Sequence, residues 1–328
     1  MQDTATPSDA GRREEVAIII PLFNGGAYIT ETIKSIQAQT HTKWHLIVVD
    51  DGSTDHGPRL VRDYADPRVS LHMKPHTGIA GTRNHGITEL PASVDFVVFL
   101  DQDDVWHPTF LATTLDALRN NPGGSAAFAL AETVDSQGRP FAHGNFQGFM
   151  QGRRELRGRA LVKVPPTTPV TLEHVFFVNH IYPPSALVIR RSALEAVGGE
   201  FDSSFEVADD WDMVARLSRH GAIHPVNEIL VGYRRHSANA SSHSRRNVRE
   251  TRAVWAKTFF SKRNDRETRG KLHRIWRAYQ HEKSREKWQL SVSDATGGRP
   301  KMAAIHALDA LAHLLLLFPI PTWYRPRG

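Results

Sequence analysis

Short unbroken apolar runs alternate with helical stripes through the first hundred residues. Val16-Ala17-Ile18-Ile19-Ile20, Leu46-Ile47-Val48-Val49 and Phe96-Val97-Val98-Phe99-Leu100 are continuous and rich in β-branched residues. That is the pattern of strands buried on both faces. Residues 69–73 predict a shorter strand. Between these runs, residues 27–39 place Ala27, Ile29, Ile33 and Ile36 on one helical face, and residues 59–65 and 78–90 read as further helices. Four alternations of strand and helix predict an α/β fold, a Rossmann-like, mostly parallel sheet with helices on both faces.

The pattern continues less regularly. Residues 108–119 predict a helix and 125–131 a strand. Residues 134–169, rich in Gly, Arg and Pro, read as a long mobile loop over the site, with Gln151-Gly152-Arg153-Arg154 available to a phosphate or to solvent. Short helices are expected over 171–178 and 191–197, strands over 185–189 and 229–234, and a helix opening at Ala208-Asp209-Asp210-Trp211-Asp212. From residue 243 the alternation stops. Trp255, Phe259 and Phe260 share one helical face and Ile275, Trp276 and Tyr279 another, so two basic amphipathic helices are expected. Residues 302–318 are the most apolar stretch. His306, Asp309 and His313 interrupt them, which favours an interfacial or packed helix over a spanning one of roughly 20 apolar residues.

Charge and composition narrow the chemistry. The 328 residues are 40% hydrophobic and 23% charged, as in soluble globular proteins. The absence of cysteine excludes disulfides, thiolate metal sites and a cysteine nucleophile. Residues 1–15 are polar and carry no apolar leader segment, so a disordered lead-in and a cytoplasmic setting are expected. The net charge of +6 is uneven: residues 243–290 hold 15 Lys/Arg and 5 Asp/Glu, a local +10, which leaves −4 for the remainder. Such an extension suits an anionic membrane surface or a solvated helical face, and no helix-turn-helix, zinc or RNP signature points to nucleic acid. Neither G-x-G-x-x-G after the first strand nor a Walker A sequence occurs.

The candidate chemistry gathers at Asp101-Gln102-Asp103-Asp104, where an apolar strand delivers three carboxylates within four residues. Ligands of open α/β sheets bind at the C-terminal ends of the strands. Crowded carboxylates there suit a hard divalent cation on a diphosphate, or an acidic turn before the next helix.

Four motifs in order, Ile18-Ile19-Ile20-Pro21-Leu22-Phe23-Asn24, Val48-Val49-Asp50-Asp51-Gly52-Ser53, Gly78-Ile79-Ala80-Gly81-Thr82-Arg83-Asn84 and Phe99-Leu100-Asp101-Gln102-Asp103, resemble the family 2 glycosyltransferases of the GT-A fold. Asp209-Asp210-Trp211-Asp212 and Tyr233-Arg234-Arg235-His236 resemble that family too. The resemblance covers about residues 15–240. It implies a nucleotide-diphospho-sugar donor, usually UDP-linked, a divalent Mn²⁺ or Mg²⁺, and inversion at the anomeric carbon. Residues 16–120 would be the nucleotide-sugar half and 121–242 the acceptor half, with 243–328 a helical extension. Pro21, Phe23 and Asn24 would line the nucleotide pocket, Asp51 would accept from the uracil N3–H, and Arg83 would lie near the diphosphate. Asp101 would reach the ribose or a metal-bound water, and Asp103 would ligate the metal, with His236 a further candidate ligand. Asp104 is left as a helix cap or a supporting residue. Asp210 matches the catalytic base, and Asp209 stands where glutamate is common. Trp211 is placed on the acceptor side, with packing in the core as the alternative. The acceptor implied is a glycan or lipid-linked glycan of surface polysaccharide, lipopolysaccharide or cell-wall synthesis. A sugar-phosphate nucleotidyltransferase and an inactive sugar-nucleotide-binding scaffold are the competing readings.

Overall fold

The computed structural model describes residues 14–145, 153–158, 160–176, 178–236 and 244–315. The lead-in at residues 1–13, Gln151, Gly152 and the apolar residues 316–318 lie outside the described residues.

The predicted strands and helices are present as β1 (Val16–Leu22), α1 (Ile29–Gln37), β2 (Trp44–Asp50), α2 (Gly57–Arg62), β3 (Val69–Met73), α3 (Gly78–Thr88) and β4 (Phe96–Phe99). Then come β5 (Val105–Trp106), α4 (Phe110–Arg119), β6 (Ala126–Val134), β7 (Pro140–Asn145), β8 (Arg154–Arg157), β9 (Ala160–Lys163) and α5 (Leu172–Val175). The chain continues through a 3₁₀ turn (Pro184–Ala186), β10 (Leu187–Arg190), α6 (Arg191–Ala196), α7 (Asp209–His220) and β11 (Ile223–Arg234). It ends in three helices, α8 (Ser244–Phe259), α9 (Arg266–Thr296) and α10 (Pro300–Leu315).

One mostly parallel sheet runs β3-β2-β1-β4-β10-β6-β11-β5, with β7 added to β6. β1 pairs in parallel with β2 and β4, so all three apolar runs point their C-terminal ends the same way. β10 enters antiparallel between β4 and β6. The two halves expected on either side of residue 120 therefore share one sheet, and β5 crosses between them to pair with β11. Ile18, Ile20, Val48 and Val98 face the core under α1 and α4; Ile19, Val49, Val97 and Phe99 face the other layer. The strands read as continuous apolar runs because both faces are covered.

Residues 134–169 are not one long loop. Among their described residues β7 pairs with β6, and β8 and β9 form a hairpin whose Leu156 and Leu161 pack against the core. Each strand sends too few apolar side chains inward for a period to show. Arg153, expected at a phosphate or in solvent, is fully buried, and its Nη2 donates to the carbonyls of Pro165 and Pro166.

The extension is packed on the domain. Phe259, Leu272, Ile275 and Trp276 join the core cluster that holds Val175 and Phe176. Two helices were expected beyond residue 243 before the apolar stretch, and α8 and α9 fill that role, with Trp255 edge-on to Trp276 at 5.4 Å. The carboxylate of Glu250 on α8 accepts from the backbone N–H groups of Glu206, Val207 and Ala208, which lead into α7. The basic extension thereby supports the start of the helix that carries Asp209 and Asp210.

Candidate active site

The site lies at the C-terminal ends of β1, β2 and β4. Beyond β1 the chain turns sharply. Asn24 adopts a left-handed conformation (φ 50°), which asparagine tolerates better than most residues. Its Oδ1 accepts from Thr54 N at 2.8 Å, and its own N–H donates to Ser53 Oγ at 2.9 Å. Gly25 is required by a close approach, since a Cβ there would run into the Gln102 amide. That amide accepts from Phe23 N (2.8 Å) and donates to Phe23 O (3.1 Å), tying the first loop to the acidic one.

Asp51, just beyond β2, is buried. Its carboxylate accepts from Thr77 N (2.8 Å) and Gly78 N (2.9 Å) and pairs with Lys74; His76 Nδ1 lies 2.9 Å from Oδ2. Burial opposes its charge, but the Lys74 and backbone hydrogen bonds outweigh it and hold the carboxyl below its usual value. Gly78 sits at φ +82°, a conformation that lets its N–H face Asp51 at the start of α3. The Phe23 ring lies 4.7 Å from that of His76 at the pocket edge.

Arg83 on α3 is the hinge pin of the site. Its guanidinium is buried and forks: Nη1 donates to Asp209 Oδ2 at 2.7 Å and Nη2 to Asp101 Oδ1 at 2.8 Å. Burial works against its charge, and the two carboxylates more than restore it. One side chain thus joins the turn after β4 to the start of α7.

The acidic turn divides its carboxylates between two tasks. Asp104 is fully buried and accepts from Ser185 Oγ (2.6 Å) and Arg234 N (3.0 Å). Asp104 is a supporting residue and does not cap α4, whose N-cap is Thr109. Burial, reinforced by Asp103 and Asp101, raises its carboxyl well above the usual range. Arg234, also fully buried, donates from Nε to Asp103 O (2.8 Å) and from Nη2 to Glu31 Oε2 (2.7 Å), fixing the turn from behind. Asp103 and Asp101 face the cavity. Asp103 Oδ2 lies 2.7 Å from His236 Nε2, and the His236 ring stacks on Tyr28 at 4.8 Å. Asp101 is raised to about 6, by burial first, with Arg83 opposing and Asp103 adding to the rise.

At the N-terminus of α7, Asp210 accepts from Trp211 N (2.6 Å), and Asn179 Nδ2 is 3.4 Å from its Oδ2. Its carboxyl is raised to about 7 by burial and by Asp209, against the pull of Arg83. Tyr182 and Tyr233 stand on the same wall with their hydroxyls 2.7 Å apart.

A cavity of about 690 Å³ gathers Pro21, Phe23, Asn24, Asp51, Arg83, Asp101, Asp103, Asp209, Asp210 and His236 on one wall system. Trp211 is the exception. It packs with Phe205, Ala208 and Val254 and donates from Nε1 to Val175 O at 2.7 Å. Its place in the i,i+1 pattern after Asp210 turns it to the core side of α7. Sequence reading missed Tyr182, His76, Lys74 and Ser185, which carry no motif, and gave Arg234 no role.

The donor set suits a hard divalent cation. Asp101 and Asp103 offer carboxylate oxygens, His236 offers an imidazole nitrogen, and the burial and the repulsion from Asp103 that raise Asp101 are what a bound cation would offset.

The family model for glycosyl transferase family 2 matches residues 17–198, more than half of the chain. The chain belongs to glycosyl transferase family 2. An uncharacterized glycosyltransferase of Rickettsia conorii is 25% identical over 244 residues, 74% of this family 2 chain but 37% of that protein. The Escherichia coli protein WfgD, UDP-Glc:alpha-D-GlcNAc-diphosphoundecaprenol beta-1,3-glucosyltransferase, is 35% identical over 107 residues, 32% of this chain and 42% of the relative. The chain thus spans less than half the length of these two relatives. Among solved structures, Staphylococcus aureus TarS 1-349 in complex with UDP-GlcNAc superposes with TM-score 0.57 at 15% identity, covering 91% of this chain and 92% of that one. The mannosyltransferase PcManGT from Pyrobaculum calidifontis, in complex with GDP-Man and Mn²⁺, gives TM-score 0.57 at 19% identity over 92% of this chain and 87% of that one. These likenesses establish the GT-A fold, with the extension helices present.

Proposed function

We propose that this family 2 chain is an inverting, metal-dependent glycosyltransferase that moves a hexosyl or N-acetylhexosaminyl group from a UDP-sugar to an acceptor hydroxyl. One observation carries the reading: a carboxyl raised to about 7, that of Asp210, shares a cavity with the nucleotide-side and acidic-turn residues and is tied to them through Asp209 and Arg83. A base poised near neutral pH can take a proton from an attacking hydroxyl.

In this reading Pro21, Phe23 and Asn24 cradle the nucleoside. Asp51 takes the base N3–H in place of His76, whose imidazole is largely exposed and gives up its contact with the carboxylate. Asp103, with Asp101 and His236, would hold Mn²⁺ or Mg²⁺, which when bound neutralises charge on the leaving diphosphate. Arg83 keeps Asp101 and Asp209 at fixed positions. Asp210 accepts the acceptor's proton as the new glycosidic bond forms and the anomeric C–O bond to the diphosphate breaks. Tyr182 and Tyr233, edge to face at 5.0 Å, give the acceptor sugar an aromatic wall. The UDP-glucose donor in WfgD's name and the UDP-GlcNAc bound to TarS support the UDP choice, and the diphosphoundecaprenol in WfgD's name supports a lipid-linked acceptor. That acceptor fits surface polysaccharide, lipopolysaccharide or cell-wall synthesis.

The extension supports placement at the cytoplasmic face of a membrane. No helix among the described residues is long and apolar enough to cross one. α10 nonetheless exposes Ile305, Leu308, Leu311 and Leu315, the last at 80%. Leu316, Leu317, Phe318, Trp323 and Tyr324 follow in the sequence, Lys301 stands in the first turn of α10, and Lys287 and Arg299 lie beside the helix in ion pairs with Asp309 and Asp294. Apolar side chains beside cations suit an anionic bilayer surface. Leu308→Glu with Leu311→Glu should abolish co-sedimentation with phosphatidylglycerol vesicles. Retained sedimentation, or a shift in oligomeric state instead, refutes the membrane assignment.

The test of the transfer reading is twofold. UDP-sugar turnover should require Mn²⁺ or Mg²⁺ and collapse in Asp103→Ala, and Asp210→Asn should bind UDP as the wild type does while losing transfer. Full turnover by Asp103→Ala in the presence of a chelator would sink the metal assignment.

A further inference from the structure

Away from the cavity, His72 on edge strand β3 meets His85 and Glu89 of the neighbouring α3 and its C-cap. His85 and Glu89 are four residues apart, so they share a helix face. Glu89 Oε2 lies 3.5 Å from His72 Nδ1, and Glu89 Oε1 lies 3.8 Å from His85 Nε2. One donor atom from each residue falls within 4.8 Å of the other two.

The hydrogen bonds around His72 point its lone pair inward. Ser70 Oγ donates to Leu46 O at 3.4 Å, which leaves the hydroxyl oxygen to accept from His72 Nε2–H at 3.2 Å. A neutral His72 with its proton on Nε2 turns the Nδ1 lone pair toward the Glu89 carboxylate, an arrangement that a bound cation would stabilise. Two imidazole nitrogens and one carboxylate match a zinc donor set with an open fourth position, and they disfavour Mg²⁺, which prefers oxygen.

We propose that His72, His85 and Glu89 form a second metal site, selective for Zn²⁺ and separate from the site at Asp103. Serine 70 fixes the tautomer of the first ligand, the outer hydrogen bond that metal-binding histidines commonly make. The site joins β3 to α3. The connector between those elements, residues 74–77, supplies Lys74 and Thr77 to Asp51. Occupancy therefore ties β3, which leads into that connector, to the far end of α3, which follows it.

The experiment is a calorimetric titration of Zn²⁺ into the tag-free full chain with Mg²⁺ in excess, which fills oxygen sites and competes poorly for imidazole. Wild type should bind one equivalent more than His85→Ala or Glu89→Gln does, and Ser70→Ala should bind that equivalent about tenfold more weakly. The thermal midpoint of each variant without metal should stay within about 2 °C of wild type, since all three side chains are partly exposed. Zinc uptake by His85→Ala equal to that of wild type, or no stoichiometric uptake by wild type, overturns the site. The cluster is then an ordinary imidazolium–carboxylate pair. Neither result bears on transfer, which is read at Asp103 and Asp210.

Discussion

The base assignment yields a pH prediction that separates Asp210 from its neighbours. Its carboxyl is raised to about 7 by burial and by Asp209, with Arg83 opposing. Only the ionised form can accept a proton, so kcat/KM should fall on the acid side with a limb near pH 7, about tenfold per pH unit. Replacing Asp210 by Asn should lower kcat by about 10²- to 10⁴-fold, the range for removing a general base, and flatten the limb. The informative perturbation is Asp209→Asn. It deletes the charge that raises Asp210, and it strips one carboxylate from Arg83, whose guanidinium now acts on Asp210 less neutralised. Both changes favour the ionised form, so the limb should move to lower pH while the rate at pH 8 changes less. The assay is initial-rate UDP release at saturating metal, with donor varied, across pH 5–9. An acid limb left in place by Asp209→Asn, or one that persists in Asp210→Asn, refutes the electrostatic account.

Arg234→Met should destabilise the fold by about 1–3 kcal/mol, because the carbonyl of Asp103 loses its buried donor while Glu31, half exposed, can turn to water; urea unfolding reads it, and no measurable cost contradicts the role given to it. Ser185→Ala removes the hydroxyl that donates to Asp104 and accepts from Asp101 N, and should cost about 1–3 kcal/mol with a larger fall in metal affinity than in UDP affinity. Gly78→Ala, at φ +82°, should cost about 1 kcal/mol and weaken UDP binding, measured by thermal shift with and without nucleotide. Without metal, stability should decline as pH rises from about 4 through 7. Asp101, Asp104 and Asp210 all have folded-state values above the ordinary carboxyl range, so the folded chain binds protons more tightly than the unfolded one and loses that advantage as they ionise. A flat melting profile over that range in EDTA contradicts it.

The strands that build the floor of the site were legible because burial on both faces leaves unbroken apolar runs. Asp51, Asp103 and Asp210 could be named because each stands in a short motif at a strand end or helix start, and Arg83 because its motif opens α3 at Gly78. What escaped has a common physical cause: it depends on contacts distant in sequence. Asp104 could not be sorted from its neighbours, since only the approach of Ser185 and Arg234 buries it. Trp211 shares its motif with Asp210, yet helical geometry sends the two side chains to different surroundings. β5 is two residues long, below any periodicity, and β8 and β9 hide one inward leucine each among charges. Lys74 and His76 hold Asp51 from a connector whose polar residues read as a solvated loop.

The fork of Arg83 also sets the order in which the site can come into being. Its two partners stand 18 and 126 residues further along the chain. During synthesis the guanidinium finds Asp101 early, but it waits for α7 before its second ion pair can close, and α7 in turn rests on Glu250 of the extension. The nucleotide-side half therefore leaves the ribosome with one of the two carboxylates that compensate Arg83 still to come. A fragment ending at residue 200 should be poorly folded and fail to bind UDP, and proteolysis resistance of stalled chains should rise only after about residue 255 has emerged. The first half is thus one partner in a joint folding event, and exchange of donor halves between relatives would have to carry the arginine and its distant aspartate together.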